Sequence, residues 1–322
     1  MRKNRTFLKL LAMAVVLATL WGCTKVQPPL KVARHIWPGY ELMYLAESLG
    51  RIDPGQVEFV QTATAPDTLQ LLLEGRVDGG ALTLDEVLRA HEQGVHLVAV
   101  LIFDISAGAD VLLADSAIDS LPALKGKRIG VETGAVGAIM LDRALHAAGL
   151  TAGDVEVVPL RLDEQIMAWQ QQRIDAIITY EPNASQIRAS GARELFTSRD
   201  APNLIVDVLA FRPEALERTA AIQHVVDSHF YALRHFQPNA VDAYYRLAPR
   251  LDVEAEQVNG MFNGLVFPSR DFNKRLLAGS SARMQKHAQQ LLGIMRAANM
   301  LTSEHDHQNT LFDGQFVSNS EP

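Results

Sequence analysis

Residues 103–138, FDISAGADVLLADSAIDSLPALKGKRIGVETGAVGA, decide how the rest of the chain is read. They leave an apolar strand-like run, HLVAVLIF, cross a small acidic segment with aspartates at 104 and 110, and enter a second apolar run, VLLA. After the turn-like LPALKGK, a third short strand, RIGV, leads to ETGAVGA, where small residues open a helical pattern. Strand, loop, strand and a glycine-flanked helix start is how a chain leaves one α/β lobe and builds another. Amides at such a helix start, here around Thr133 and Gly134, lack intrahelical acceptors and carry partial positive charge toward a ligand. The stretch is therefore expected to form half of a ligand cleft together with the crossing between two lobes.

Upstream, KVARHIWPGYELMYLAESLGRI reads as a strand, a turn at Pro38-Gly39 and a helix carrying Leu42, Leu45, Ala46 and Leu49 at helical spacing. This puts Trp37 and Tyr40 at the carboxyl end of the strand, the ligand side of an open α/β sheet. VEFVQT alternates as the next strand, and Leu69, Leu72 and Leu73 give a helix whose entry, Thr64 to Asp67, has capping-box spacing. GGALTL leads through Thr83 to Asp85, LDEVLRAHEQGV is helical, and HLVAVLIFD is a fourth strand. Alternating strand and helix predicts a mainly parallel sheet with right-handed crossovers.

Downstream, VGAIMLDRALHAAGL is helical with Gly149 as its stop, VEVVPL a strand, DEQIMAWQQQ a helix, and RIDAIITYEP a strand ending at Tyr180 and Glu181. EGRVDGGALT and QQRIDAIIT both place Arg, a β-branched residue and Asp between helix and strand, which suggests a repeated lobe. LIVDVLAFR, with Asp207 embedded, is the expected return crossing, and its carboxylate must meet solvent, a partner or a ligand because burying it alone is costly. From Pro213 the pattern is helical through ARMQKHAQQLLGIMRAANML. The tail TSEHDHQNTLFDGQFVSNSEP is polar and expected to be loose, including His305, Asp306 and His307.

With 322 residues, 48% of them hydrophobic, the chain can bury a large core, and two domains is the expectation for that length. A formal charge of -7 with scattered lysine and arginine excludes a basic stripe for nucleic acid. MRKNRTFLKL supplies positive charge and LLAMAVVLATLW a short apolar core before Gly22-Cys23, the three-part form of a secretory signal with a lipoprotein-type cysteine. Residues 1–22 are expected to be a signal peptide, Cys23 the lipid attachment point and 23–30 a tether, so that the body sits in the periplasm or cell envelope, anchored to a membrane. Cys23 is the only cysteine, so the globular body uses no disulfide, no cysteine-ligated metal and no cysteine nucleophile.

The sequence contains no G-x-S-x-G, H-E-x-x-H, P-loop or C-x-x-C, and its glycines 130, 134 and 137 do not make G-x-G-x-x-G. No enzyme activity, cofactor or metal is expected. The residues that concentrate at the expected strand ends form a binding set instead: Trp37, Tyr40, Asp67, Thr83, Asp104, Ser106, Asp110, Thr133, Gly134, Tyr180, Glu181 and Asp207. Aromatic faces would hold a flat or apolar portion of a ligand, while hydroxyls and carboxylates would fix its polar edge. The acids favour an amine or amino-heterocycle; the Thr133-Gly134 amides would suit an anionic end, and a zwitterion would use both.

WPGY with LMYLAE, GRVDGGALTLDE, FDISAGAD, LKGKRIGVETGAVG, RIDAIITYEPNAS and LIVDVLAF together resemble the periplasmic substrate-binding proteins of ABC importers, nearest the NMT1/THI5-like group of nitrate, sulfonate, taurine and thiamine-pyrimidine binders. The resemblance runs over nearly all of residues 30–300. It implies a type II periplasmic-binding-protein fold, with lobe 1 formed by 31–110 plus 208–300, lobe 2 by 111–207, two crossing strands as a hinge, and 301–322 as a tail. It implies a monomer that captures a small polar or aromatic molecule, an amine, aminopyrimidine or sulfonate, and delivers it to an ABC permease. A ligand-sensing receptor partnering a membrane signalling protein would use the same closure. The family also holds a pyrimidine-synthesis enzyme, which relies on a cysteine-rich segment that this chain lacks.

Overall fold

The computed structural model describes residues 27–134, 136–277, 282–301 and 311–318. Cys23, the signal segment and the His305–His307 cluster lie outside them. Eleven strands among these residues build two sheets. The first is ordered β11-β4-β10-β3-β1-β2, from Leu30–Arg34 (β1), Val57–Gln61 (β2), Gly79–Thr83 (β3), Val98–Ser106 (β4), Val206–Phe211 (β10) and Leu265–Val266 (β11). The second is ordered β7-β6-β8-β5-β9, from Val111–Ala114 (β5), Arg128–Val131 (β6), Glu156–Pro159 (β7), Ala176–Thr179 (β8) and Arg193–Thr197 (β9). Helices flank both sheets, so each sheet with its helices forms one lobe.

The pairing is mixed in each lobe. β1 runs parallel to β2 and β3, and β6 parallel to β7 and β8, as helical crossovers require. The strands that pass between lobes pair antiparallel: β10 with β3 and β4, and β5 with β8 and β9. The mainly parallel expectation thus holds for the βαβ halves, and the crossing strands make the difference because they return against that direction. β4 is apolar over VAVLIF and buried there on both faces, the signature of a central strand. On β5 the side chains alternate between two cores: Leu112 and Ala114 join the large cluster shared with the first lobe, while Val111 and Leu113 pack with Leu160, Ile174, Ile177 and Ile187 on the outer face.

The two lobes repeat a local device. Asp78, just before β3, accepts from the Lys31 amide at 2.7 Å, and Asp175, just before β8, accepts from the Arg128 amide at 2.8 Å, each link spanning 47 residues. The residue three positions earlier is left-handed in both, Gly75 at φ +67 and Gln172 at φ 53. These are the Arg-x-Asp segments that the sequence shows twice, and their carboxylates pin each lobe's helix-to-strand turn onto a neighbouring parallel strand.

The two crossings are tied together. The hydroxyls of Ser106 and Ser198 lie 2.7 Å apart, Ser198 also accepts from the Gly108 amide at 2.7 Å, and the Ser198 amide donates to the Asp110 carbonyl at 2.9 Å. C-terminal helices return to the first lobe; Arg250, from Ala240–Leu251, pairs with the buried Glu41. The tail differs from the loose segment expected. Leu311, Phe316 and Val317 are buried, Leu311 accepts from the Ala99 amide beside β4 at 2.9 Å, and a helical turn forms at Gln315–Ser318. These three apolar side chains cover one edge of the first sheet.

Candidate functional site

Between the lobes lies a cavity of about 20 Å3, room for a single water-sized group. Its walls come from both sides. The loop after β1 brings His35, Trp37 and Tyr40; the end of β3 and the next helix bring Thr83 and Glu86; the crossings bring Asp110, Ile205 and Asp207; the second lobe brings Val136 and Tyr180. Trp37 and Tyr180 meet edge to face across the gap, ring centroids 5.1 Å apart and planes at 86°, so the lobes stand closed.

The strand register explains the acids. Asp207 on β10 stands opposite Thr83 on β3 and opposite Asp104 on β4, so three side chains form a row on neighbouring strands. The Trp37 indole donates to Asp104 at 3.2 Å, and the Tyr40 hydroxyl donates to Asp207. Thr83 donates to Asp85 at 2.7 Å while its amide donates to Glu86 at 2.9 Å, capping the helix Leu84–Glu92. Gly39 is required here, since a methyl group in its place would sit 1.7 Å from Asp104 Oδ2 and 2.7 Å from the indole nitrogen.

Burial dominates the electrostatics. It pushes Asp104 and Asp110 up to about 7 and Glu86 up to about 8, and raises Asp207 well above the usual carboxylate range. Asp104 and Asp207 face each other on adjacent strands, and the charge of Asp104 adds to the rise of Asp207. Burial drives His35 down to about 3, so its ring is neutral, and it raises the Tyr180 hydroxyl far above its ordinary value. Among the described residues, Asp104 Oδ1, Asp110 Oδ2, Asp207 Oδ2 and the Tyr180 hydroxyl are buried without a hydrogen-bond partner. Such groups are costly unless something fills their bonding capacity.

Of the expected site residues, Trp37, Tyr40, Thr83, Asp110, Tyr180 and Asp207 line this cavity, and Asp104 touches it through the indole. Ser106 is a crossing residue that donates nothing to the cavity. Asp67 lies at the rim, completing the Thr64 capping box and receiving both guanidinium nitrogens of Arg161 from the other lobe, at 3.2 and 2.9 Å. Thr133 and Gly134 are exposed and do not line the cavity, though Val136 does; the helix begins at Gly137. Glu181 is taken by Arg188 at 2.8 Å and by the Ser185 amide at 3.0 Å. Glu86 and His35 are the additions; the Thr83-to-Glu86 spacing of a capping box was the available signal for Glu86.

The sequence pattern of the family described as NMT1/THI5 like matches residues 56–202. A protein of Escherichia coli (strain K12) named for aliphatic-sulfonate binding is 28% identical over 179 residues, 55% of this chain and 56% of that protein. A protein of Brucella abortus (strain 2308) named as a binding protein is 27% identical over 163 residues, 47% of this chain and 51% of that one. The chain spans about half the length of these relatives. In structure, the alkanesulfonate-binding protein SsuA of Xanthomonas axonopodis bound to MOPS superposes with a TM-score of 0.72 at 20% identity, covering 86% of this chain and 95% of that one. The periplasmic nitrate-binding protein NrtA of Synechocystis does so with 0.63 at 12% identity, covering 85% and 91%. The chain thus carries the NMT1/THI5-like pattern on residues 56–202 within a two-lobed α/β fold shared with these solved solute-binding proteins.

Proposed function

We propose that this protein is an extracytoplasmic solute-binding protein, closing its two lobes over a small polar or aromatic solute and handing it to an ABC permease. One observation carries the reading. An indole from one lobe and a phenol from the other meet over a cavity walled by both, with unpartnered buried carboxylate oxygens inside it. Closure is then a population shift that the solute drives by binding the closed form better than the open one. The two crossings, held by the Ser106–Ser198 hydroxyl pair, are the hinge, and 31–110 with 208–300 moves against 111–207. Amines, aminopyrimidines and sulfonate-like molecules are the candidate solutes, and the protein acts by binding them as a monomer without chemistry or cofactor.

The body is proposed to stand in the periplasm or cell envelope on a lipid at Cys23. No helix among the described residues is long and apolar enough to cross a membrane. A thermal-shift panel of amines, aminopyrimidines, sulfonates and flavin precursors on the full chain tests the reading. At least one class should raise the melting temperature, and Trp37→Ala should weaken that solute more than tenfold by calorimetry. Unchanged affinity in that variant rejects the site. Mass spectrometry of the membrane fraction should show diacylglycerol on Cys23; a free thiol there rejects the anchor.

A further inference from the structure

Every titratable side chain that walls the interlobe cavity is an acid or an uncharged ring. Glu86, Asp110 and Asp207 are carboxyls, Tyr40 and Tyr180 are phenols, and His35 is fully buried. Among the described residues no lysine or arginine lines it. The Arg161 guanidinium near its rim is committed elsewhere, to Asp67 and Asp163. An ionised carboxylate only accepts hydrogen bonds, and an ammonium or amidinium only donates them. Asp110 Oδ2, Asp207 Oδ2 and Asp104 Oδ1 supply acceptors without a partner, and the Tyr180 hydroxyl points at the same space.

Resting on the solute-binding reading above, we propose that the solute is an organic cation, a protonated amine or amidine whose nitrogen head sits between Asp110, the Asp104–Asp207 pair and Tyr180, and that sulfonate and nitrate are excluded. Charge supports the assignment. Once the pH is high enough to ionise Asp104 and Asp110, a sulfonate would set its negative charge against buried carboxylates with no cation among the cavity-lining residues to offset it. The Trp37 and Tyr180 rings add a surface on which a cation and its alkyl stem are stabilised by the aromatic quadrupole. Binding must also ionise acids that burial keeps protonated near neutral pH, so the complex releases protons and tightens as the pH rises.

The test is a thermal-shift and calorimetry series on the full chain with butylamine, agmatine and benzamidine against ethanesulfonate and nitrate, at pH 6 and pH 8. The expected result is stabilisation by at least one cation, larger at pH 8, with no shift from either anion. Asp110→Asn should weaken the cation at least tenfold. Tyr180→Phe, which keeps the ring contact and removes only the hydroxyl, should weaken it severalfold. Stabilisation by ethanesulfonate or nitrate with the cations inert overturns the cation assignment and leaves the solute-binding reading standing. Silence from all five probes overturns the cation assignment. Loss of Trp37→Ala sensitivity for whichever probe binds overturns the site itself.

Discussion

Asp110 shows how one side chain couples location to chemistry. It sits two residues past Gly108, where the chain leaves β4 for β5, and burial raises it to about 7. An acid that binds its proton more tightly when folded contributes most stability below its unfolded value near 4, and loses that contribution as the pH climbs to its folded value. Asp110→Asn should therefore raise stability at pH 8, by about 2 to 4 kcal/mol, and flatten the decline between pH 4 and pH 7. Urea titrations across that range check both. Gly39→Ala should do the opposite at every pH, costing about 1 to 3 kcal/mol as Asp104 and the indole are forced apart, and the same titrations read it. Trp37, Tyr40, Thr83, Asp110, Tyr180 and Asp207 were legible as cavity-lining residues because strand ends on the ligand side follow from the βα pattern. Thr133 and Gly134 fall outside that lining, and a glycine-rich run marks a helix start only to within a turn; the helix here begins at Gly137. Glu86 stayed hidden behind its capping role.

At the scale of elements, the crossings and the rim divide the work of holding the lobes. Gly108 adopts φ +123 and lies so near Arg199 that an added methyl would meet its guanidinium at 2.6 Å. Gly108→Ala should therefore strain the hinge, lowering the unfolding midpoint in urea by the equivalent of about 1 to 3 kcal/mol. The Asp67–Arg161 pair is half exposed, so Arg161→Ala should change folding stability by no more than about 1 kcal/mol. Its effect should appear in shape, as a larger radius of gyration by small-angle scattering at low salt that converges with the parent protein at high salt. Arg161 and the Thr64 hydroxyl and amide hold the Asp67 carboxyl below the usual range, so the contact persists above pH 4 and is lost as the pH falls through that lowered value. The central strands were legible from unbroken apolar runs such as VAVLIF. β9, RELFT, was not: it carries charge at both of its first two positions and is buried only at Phe196 and Thr197. The docking of Leu311, Phe316 and Val317 was equally silent, since three apolar residues in a polar stretch give no period.

For the whole molecule, closure is the property on which the proposed function turns, and the chain's own fluorescence can report it. It has three tryptophans. Trp21 lies outside the described residues, and Trp169 is bound to Ser190 on the second lobe's own surface at 2.8 Å, so Trp169 keeps its surroundings when the lobes part. Among the described tryptophans Trp37 alone faces the opposite lobe, its ring against Tyr180 and its nitrogen on Asp104. Separation of the lobes exposes that indole to water, and its emission shifts to longer wavelength while Trp169 provides a constant background. A solute-dependent blue shift that vanishes in Trp37→Phe is the expected spectroscopic signature, and a shift surviving that replacement would assign the signal elsewhere. The contact proposed to seal a solute inside would thus double as an intrinsic optical gauge, allowing occupancy to be followed in unlabelled protein on the timescale of mixing.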